Sequence, residues 1–470
     1  MRKKISIILA AALCITSLAG CGNGKEEKTA DSDTKQVKTE AGTEEDSVSG
    51  ELNIAVFQGG MGDAYWNEIV KMFEAKYPEI KVNMNINPKI GEIIKPQIVA
   101  GNVPDFISLN MGEASGVMDS LVKEKALLDL TDIFEETLEG DTQPLKDRFL
   151  DGIIGSKATS PYDDGKIYLA PFDSGAMGLV YNKALFEEKG WELPETWEQF
   201  MALGETAQND TYMVGDKEVT GRALLAYPGI HPQYMRNILF PAVAQNGGSE
   251  AVNAFSNYEE GYADNAKTIE YLQVIPELVE KGYLLEGTVA LNHTQSQTEM
   301  MLGKALFIPS GAWMVNEMKD APREEGFEFG MIAMPSMKEG DSKYIASSCE
   351  QFSIPAKAKN PEAAKAFLRF LYTDDSVKAL AEHASALYAL KDAKEICKDI
   401  LDDEVYNMYE AYEDAEAVLV YTAPLPQGCN VDVNQELYHK CFTKVIDGSM
   451  TVEEWMQSIE KAFAEIRSLK

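Results

Sequence analysis

From Leu52 onward the chain alternates short apolar runs with stretches in which apolar residues recur every three to four positions. Leu52-Asn53-Ile54-Ala55-Val56-Phe57 reads as a strand, and the glycine-rich turn Gln58-Gly59-Gly60-Met61-Gly62-Asp63 follows it. Trp66, Ile69, Val70, Phe73 and Tyr77 then share one face of a helix that Pro78 ends. Residues 80–86 read as a second strand, so the chain opens as a βαβ unit and predicts a parallel sheet. A third helix-then-strand unit spans 90–110, broken at Gly101-Asn102-Val103-Pro104-Asp105. Between 190 and 283 the period turns helical, with Pro194-Glu195-Thr196-Trp197-Glu198 as a helix start, and predicts a second lobe. Residues 452–466 predict an amphipathic helix packed on a core.

The N-terminal fifty residues break this pattern. Arg2, Lys3 and Lys4 precede an apolar run over 5–18, and the small residues Ala19 and Gly20 precede Cys21, so residues 1–20 read as a secretory signal peptide. The run is shorter than the roughly 20 apolar residues of a spanning helix. Leu18-Ala19-Gly20-Cys21 resembles the lipobox of bacterial lipoproteins, which implies acylation of Cys21 and anchoring on the extracytoplasmic face of the cell membrane. Each buried acyl methylene contributes about 0.8 kcal/mol to such an anchor. An ordinary cleavage site with an incidental cysteine is the alternative. Residues 21–50 are Lys, Glu, Thr, Asp, Ser and Gly with few large apolar side chains, and read as a disordered tether carrying that cysteine.

Composition narrows the picture further. A chain of 470 residues, 45% hydrophobic and 25% charged, is too long for one small core and predicts two α/β lobes. The balance of 43 basic against 76 acidic residues, a formal charge of -33, argues against nucleic acid and anionic lipid as partners and leaves a neutral solute unaffected. Cys349, Cys397, Cys429 and Cys441 are too widely spaced for a metal knuckle or a CxxC pair, and a disulfide and four buried thiols both stay open. His231, His293, His383 and His439 are scattered without an HExxH, and no GxSxG occurs. Gly59-Gly60-Met61-Gly62 lacks the lysine and hydroxyl residue of a phosphate loop. No metal and no cofactor is expected. Ligands of open parallel sheets sit beyond the carboxyl ends of the strands, which singles out the loops 58–63 and 110–115.

Four blocks carry a family resemblance. They are Trp66-Asn67-Glu68-Ile69-Val70-Lys71-Met72-Phe73-Glu74 with Tyr77-Pro78-Glu79-Ile80-Lys81-Val82, then Ala100-Gly101-Asn102-Val103-Pro104-Asp105, then Gly165-Lys166-Ile167-Tyr168-Leu169-Ala170-Pro171-Phe172 through Leu179-Val180-Tyr181-Asn182-Lys183 and Leu193-Pro194-Glu195-Thr196-Trp197, and last Met301-Leu302-Gly303-Lys304-Ala305-Leu306-Phe307-Ile308-Pro309-Ser310-Gly311-Ala312-Trp313. In this order and spacing the chain resembles the extracellular solute-binding proteins of carbohydrate ABC importers, the family 1 group that includes maltose-binding protein. The run 350–361 and the segment 311–318 look most like the N-acetylglucosamine and chitobiose binders within it.

The resemblance implies a two-lobed periplasmic-binding-protein-like clamp, each lobe a central sheet flanked by helices, joined by a multi-strand hinge. Lobe 1 would take 51–172 and 333–375, and lobe 2 would take 173–332 and 376–470. The chain would cross near 168–179, near 331–337 and again after 367–372. It implies a monomer without catalytic residues that closes on a mono- or oligosaccharide and delivers it to ABC permease subunits. Trp313 matches the family's stacking aromatic. Gln58, Asp63, Asn110 and Glu113 fall on strand-end loops where relatives bind hydroxyls, although each side chain is also a helix-cap type and Asp63 sits at a helix start. Asp173 matches a polar position in the hinge strand, and Glu350 interrupts an apolar region where an unpaired carboxylate is costly. Pro424-Leu425-Pro426-Gln427-Gly428 resembles a closing loop and nominates Gln427 and Asn430. Tyr227 and Tyr234 are candidates for the cleft wall, and Trp66 reads better as core. An extracellular hydrolase with paired carboxylates, or a lipid-anchored adhesion or scaffold protein, remain the alternatives.

Overall fold

The computed structural model describes residues 48–469 apart from 114, 163 and 215. The expected signal peptide, Cys21 and the tether as far as residue 47 lie outside the described residues. Gly50, expected in the tether, already stands in the first strand, opposite Ile80.

The strands are β1 (Gly50–Phe57), β2 (Ile80–Asn87), β3 (Phe106–Ser108), β4 (Ala170–Pro171), β5 (Gly175–Asn182), β6 (Thr211–Val214), β7 (Lys217–Thr220), β8 (Ala223–Leu225), β9 (Ala305–Gly311), β10 (Phe329–Ile332), β11 (Tyr344–Ser348), β12 (Gln351–Ser353) and β13 (Glu416–Leu419). One sheet has the order β2-β1-β3-β12-β4, and the other β13-β11-β5-β9-β8 with β10 also on β5. The fold is two-lobed and α/β, with helices flanking each sheet. The opening reads as predicted: β1 pairs in parallel with β2 and β3, and the helices Ala64–Lys76 and Ile90–Val99 are the crossovers.

Side chains alternate along β1. Leu52, Ile54 and Val56 enter a core with Trp66, Ile69, Phe73 and Phe106, while Ala55 faces Ile90, Ile94 and Ile107 on the other side. Trp66 meets Phe172 at 5.6 Å and Phe352 at 6.0 Å, so its place is in the core as expected. Each such side chain stabilises the lobe by about 1.5–3 kcal/mol. In the second lobe Leu179, Phe200, Leu239 and Phe307 share a core with Trp455, Ile459, Phe463 and Ile466 of the helix Val452–Arg467. Thr451 and Glu454 close a capping box at that helix's start. The β6–β7 hairpin and β8 interrupt the predicted helical stretch 190–283, because strands of three and four residues are too short to impose a period of two.

Three segments from distant parts of the chain run side by side between the sheets. Phe172 N donates to Glu350 O at 2.8 Å, Ser174 N to Leu387 O at 2.9 Å, and Ala389 N to Phe172 O at 3.0 Å. The first of these passes from β4 of one sheet to β5 of the other over residues 171–175. The second is not at 331–337: β10 and β11 both pair with β5, so the chain passes over between Ser348 and Gln351. The third lies beyond 372, and the helix Asp374–Ala384 still belongs with the first lobe, since Val377 and Leu380 pack with Ile69 and Phe73. The shift of the second arises from edge pairing that an apolar run alone does not specify. Cys349, Cys397 and Cys441 are buried free thiols, and Cys429 is a partly exposed one.

Candidate functional site

The carboxyl ends of β1 and β3, the hinge segments and the loop after β9 converge at the junction of the lobes. β9 ends at Gly311, and a four-residue helical turn, Met314–Glu317, follows Trp313. The indole of Trp313 lies against Gly311, where a Cβ would come within 2.0 Å of Cζ3, and against Gly175, where a Cβ would stand 3.5 Å away. Gly60, on the loop after β1, would place its Cβ 3.5 Å from that of Trp313, and Asn316 Nδ2 donates to Gly60 O at 2.8 Å. The turn that carries Trp313 is thereby tied to the opposite lobe. Trp313 stays partly exposed. Glu317 holds the same turn from below, accepting from Gln297 Nε2 at 3.0 Å and lying 3.4 Å from His293 Nε2.

A polar cluster forms on the hinge beside this platform. Asp173 Oδ1 accepts from Glu350 N at 2.7 Å, and Asn110 Oδ1 accepts from Gln351 N at 3.1 Å. Glu350 keeps a partly exposed surface although protein surrounds it, as a group on the floor of a cleft would. Burial, reinforced by the nearby Asp173 carboxyl, pushes Glu350 well above the usual carboxylate range, and the charge of Arg236 opposes the rise. Burial raises Asp173 as well, against the backbone hydrogen bond from Glu350. Two acids this close share a preference for holding a proton. The cluster therefore offers carboxyl and carboxamide groups, with both donor and acceptor capacity, next to an aromatic face.

The expected site residues divide into two groups. Asn110, Asp173 and Glu350 are brought together by hydrogen bonds, and Gln58 sits at the start of the loop that meets Trp313. Asp63 is exposed at the N-cap position of the helix Ala64–Lys76, without a side-chain cap. Glu113 is engaged locally: its carboxylate accepts from Ser115 N at 2.7 Å and Val117 N at 3.1 Å, and so caps the helix Val117–Lys123. Tyr227 does not line a cleft. It is 2% exposed, its hydroxyl donates to Pro232 O at 2.8 Å, and its ring stacks on Phe442 at 4.6 Å. Gln427 and Asn430 are exposed on the turn after Pro426, and no hydrogen bond joins them to the hinge cluster among the described residues. Sequence reasoning did not single out Arg236, the first residue of the helix Arg236–Ala244, whose charge opposes the rise of Glu350. Among the described residues no group of three metal-ligating side chains is assembled, and no helix is long and apolar enough to cross a membrane.

The family model described as bacterial extracellular solute-binding protein matches residues 59–378. The chain is 27% identical over 379 residues to a diacetylchitobiose binding protein of Streptomyces coelicolor, covering 78% of this chain and 75% of that one. It is 24% identical over 340 residues to a multiple sugar-binding protein of Streptococcus mutans, covering 71% and 74%. Its fold is similar to that of apo RafE from Streptococcus pneumoniae, with a TM-score of 0.66 at 19% identity over 88% of this chain and 98% of the other. A chitin oligosaccharide binding protein gives a TM-score of 0.64 at 21% identity, covering 89% and 100%.

Proposed function

The chain belongs to the family of bacterial extracellular solute-binding proteins, and on that premise we propose that it captures a mono- or oligosaccharide between its lobes and delivers it to the permease subunits of an ABC importer. The observation that carries this reading is the Trp313 indole packed on Gly175, two residues from Asp173, where the hinge also holds Asn110 and Glu350. A pyranose needs a flat apolar surface for its C–H face and planar polar groups for its hydroxyls, and this junction supplies both. A sugar touching Trp313 from one lobe and Asn110 from the other favours the closed arrangement by its differential affinity. We read no catalytic step into the site: its two acids lie side by side on one hinge, and binding is the task that the family's members perform.

Among sugars, the relative that binds diacetylchitobiose makes N-acetylglucosamine oligomers the first cargo to test. The protein would act on the extracytoplasmic face, held there by acyl chains on Cys21 and standing off on its tether, as a monomer. Thermal melting of residues 48–470 against chitobiose, raffinose, maltotriose and monosaccharides tests the function. A sugar at 100 times its dissociation constant stabilises by about 2.7 kcal/mol, which a melting curve resolves. A shift with one class of sugar is the expected result, and a flat response across the panel rejects the reading.

A further inference from the structure

The turn that carries Trp313 ends in a side chain whose partners come from another helix. Glu317 closes the turn Met314–Glu317, and both of its carboxylate oxygens face the helix His293–Met301: Oε2 accepts from Gln297 Nε2 at 3.0 Å, and Oε1 lies 3.4 Å from His293 Nε2. Gln297 Nε2 also stands 3.5 Å from Ser310 Oγ, one residue ahead of the Gly311 on which the indole rests. Ser310 is itself fixed, since its carbonyl accepts from Asn237 Nδ2 at 2.7 Å. One side chain thus spans the two ends of the segment 310–317, with Trp313 between them.

Gln297 keeps this place at a cost. It is 1% exposed, and its Oε1 is buried without a hydrogen-bond partner. Turning the amide over would aim that oxygen at the Glu317 carboxylate, so the unpaired carbonyl is what the bond to Glu317 requires. Such groups are rare in folded proteins, and this one is retained where it steadies the aromatic platform.

The other contact of Glu317 is titratable. The His293 ring meets that of His231 edge-on at 4.9 Å, from the loop just ahead of the 3-10 turn Pro232–Met235. Burial, and then the charge of His293, hold His231 below the ordinary imidazole range, so a proton taken up by the pair is better placed on His293, which faces a carboxylate. On the same 3-10 turn, burial and the Glu317 charge push the Tyr234 hydroxyl up to about 12, against Arg236, and it stays neutral. β9 brings no titratable side chain to this cluster, and Glu299, further along the helix, is paired with Lys304 at 2.5 Å.

We propose that Glu317 and Gln297 are positioning residues that hold Trp313 in the sugar cleft, and that His293 tightens this hold on protonation, so that sugar affinity rises from about pH 8 to about pH 6. The ion pair of His293 with Glu317 is made only with the turn in place, and a charge that strengthens it favours the arrangement in which the indole meets sugar. Because the two side chains are 37% and 22% exposed, solvent screens the pair, and the gain is about threefold in affinity. This inference rests on the sugar-binding reading above and adds to it a control of the same site by pH.

The test is isothermal titration at about pH 6 and about pH 8 with chitobiose, raffinose and maltotriose, on wild type, H293Q, E317Q, E317A, W313A and the double mutant of the last two. The ratio of affinity at the lower pH to that at the higher is expected to be about threefold smaller in H293Q and E317Q than in wild type. Glu350 titrates in all three proteins, so its own contribution cancels in that comparison. E317A is expected to lose about tenfold at both pH values, and E317Q, whose amide oxygen still accepts from Gln297, to recover most of it. In the W313A background E317A is expected to add little, because the ring it positions is gone. A ratio unchanged in H293Q and E317Q, or an E317A loss as large without Trp313 as with it, overturns this proposal while wild-type binding keeps the sugar reading. A wild type that binds none of the three sugars overturns both.

Discussion

Adding one methyl group at Gly311 is expected to remove most sugar affinity by displacing the Trp313 indole while leaving that side chain in place in the sequence. Gly311 has ordinary strand geometry, so alanine there meets no backbone penalty, but its Cβ would lie 2.0 Å from Cζ3 of Trp313, 2.3 Å from Cη2 and 2.4 Å from Cε3. Carbon atoms pack at about 3.5–4.0 Å, so the indole has to move by about 1.5 Å or tilt. A tryptophan presents about 150–250 Å² of surface, of which a stacked pyranose covers about half. At about 25 cal/mol per Å², losing that contact costs about 2.5 kcal/mol, or roughly 70-fold in affinity. W313A removes the same surface outright and is expected to lose a similar amount, with a modest effect on folding because Trp313 is partly exposed. Isothermal titration of G311A, W313A and the double mutant with the sugar found by the melting screen checks this. In the W313A background, G311A is expected to add little, since the group it displaces is gone. Losses that multiply in the double mutant, or a G311A protein with wild-type affinity, would refute the assignment of Trp313 as the platform.

Three further outcomes follow from other parts of the molecule. Glu350 is held protonated above the ordinary carboxylate range, so between its unfolded and folded values the folded state binds more protons and stability falls as pH rises; E350Q is expected to flatten the melting-temperature profile from that range through neutrality, and an unchanged slope would assign the pH dependence elsewhere. Asp105 is fully buried and accepts from Asn53 N, Asn53 Nδ2, Lys359 N and Asn360 N at 2.7–3.0 Å; D105A leaves these donors unpaired and is expected to cost about 3 kcal/mol or more in urea unfolding, with a loss below 1 kcal/mol counting against the role. C21S is expected to release the protein from membranes on fractionation, and a mutant that still sediments with membrane would remove the lipid anchor from the proposal.

The sequence made the first lobe's opening legible because each element there is regular and local. The alternation of Leu52, Ile54 and Val56 and the helical face of Trp66, Ile69 and Phe73 need no distant partner to be read. The place of Trp313 just past the sheet was legible for a related reason, since a Gly-Ala-Trp run follows an apolar strand. Tyr227 was not, because what buries it is Phe442, brought in by the C-terminal part of the chain. Glu113 follows the same logic at short range: a carboxylate two residues before Ser115 reads equally well as ligand and as cap, and local amides take it. The second crossing was misplaced because β11 joins the sheet through Ala346 opposite Met177, a pairing that no local pattern reveals.

The position of β12 also bears on how the chain reaches its native state. β12 lies between β3 and β4, so the first sheet stays open until residue 351 has been made and has returned across the whole second lobe. Closing so long a loop is entropically costly and makes assembly slow. A nascent chain stopped short of that residue has an unfinished sheet and cannot settle early into a compact N-terminal domain.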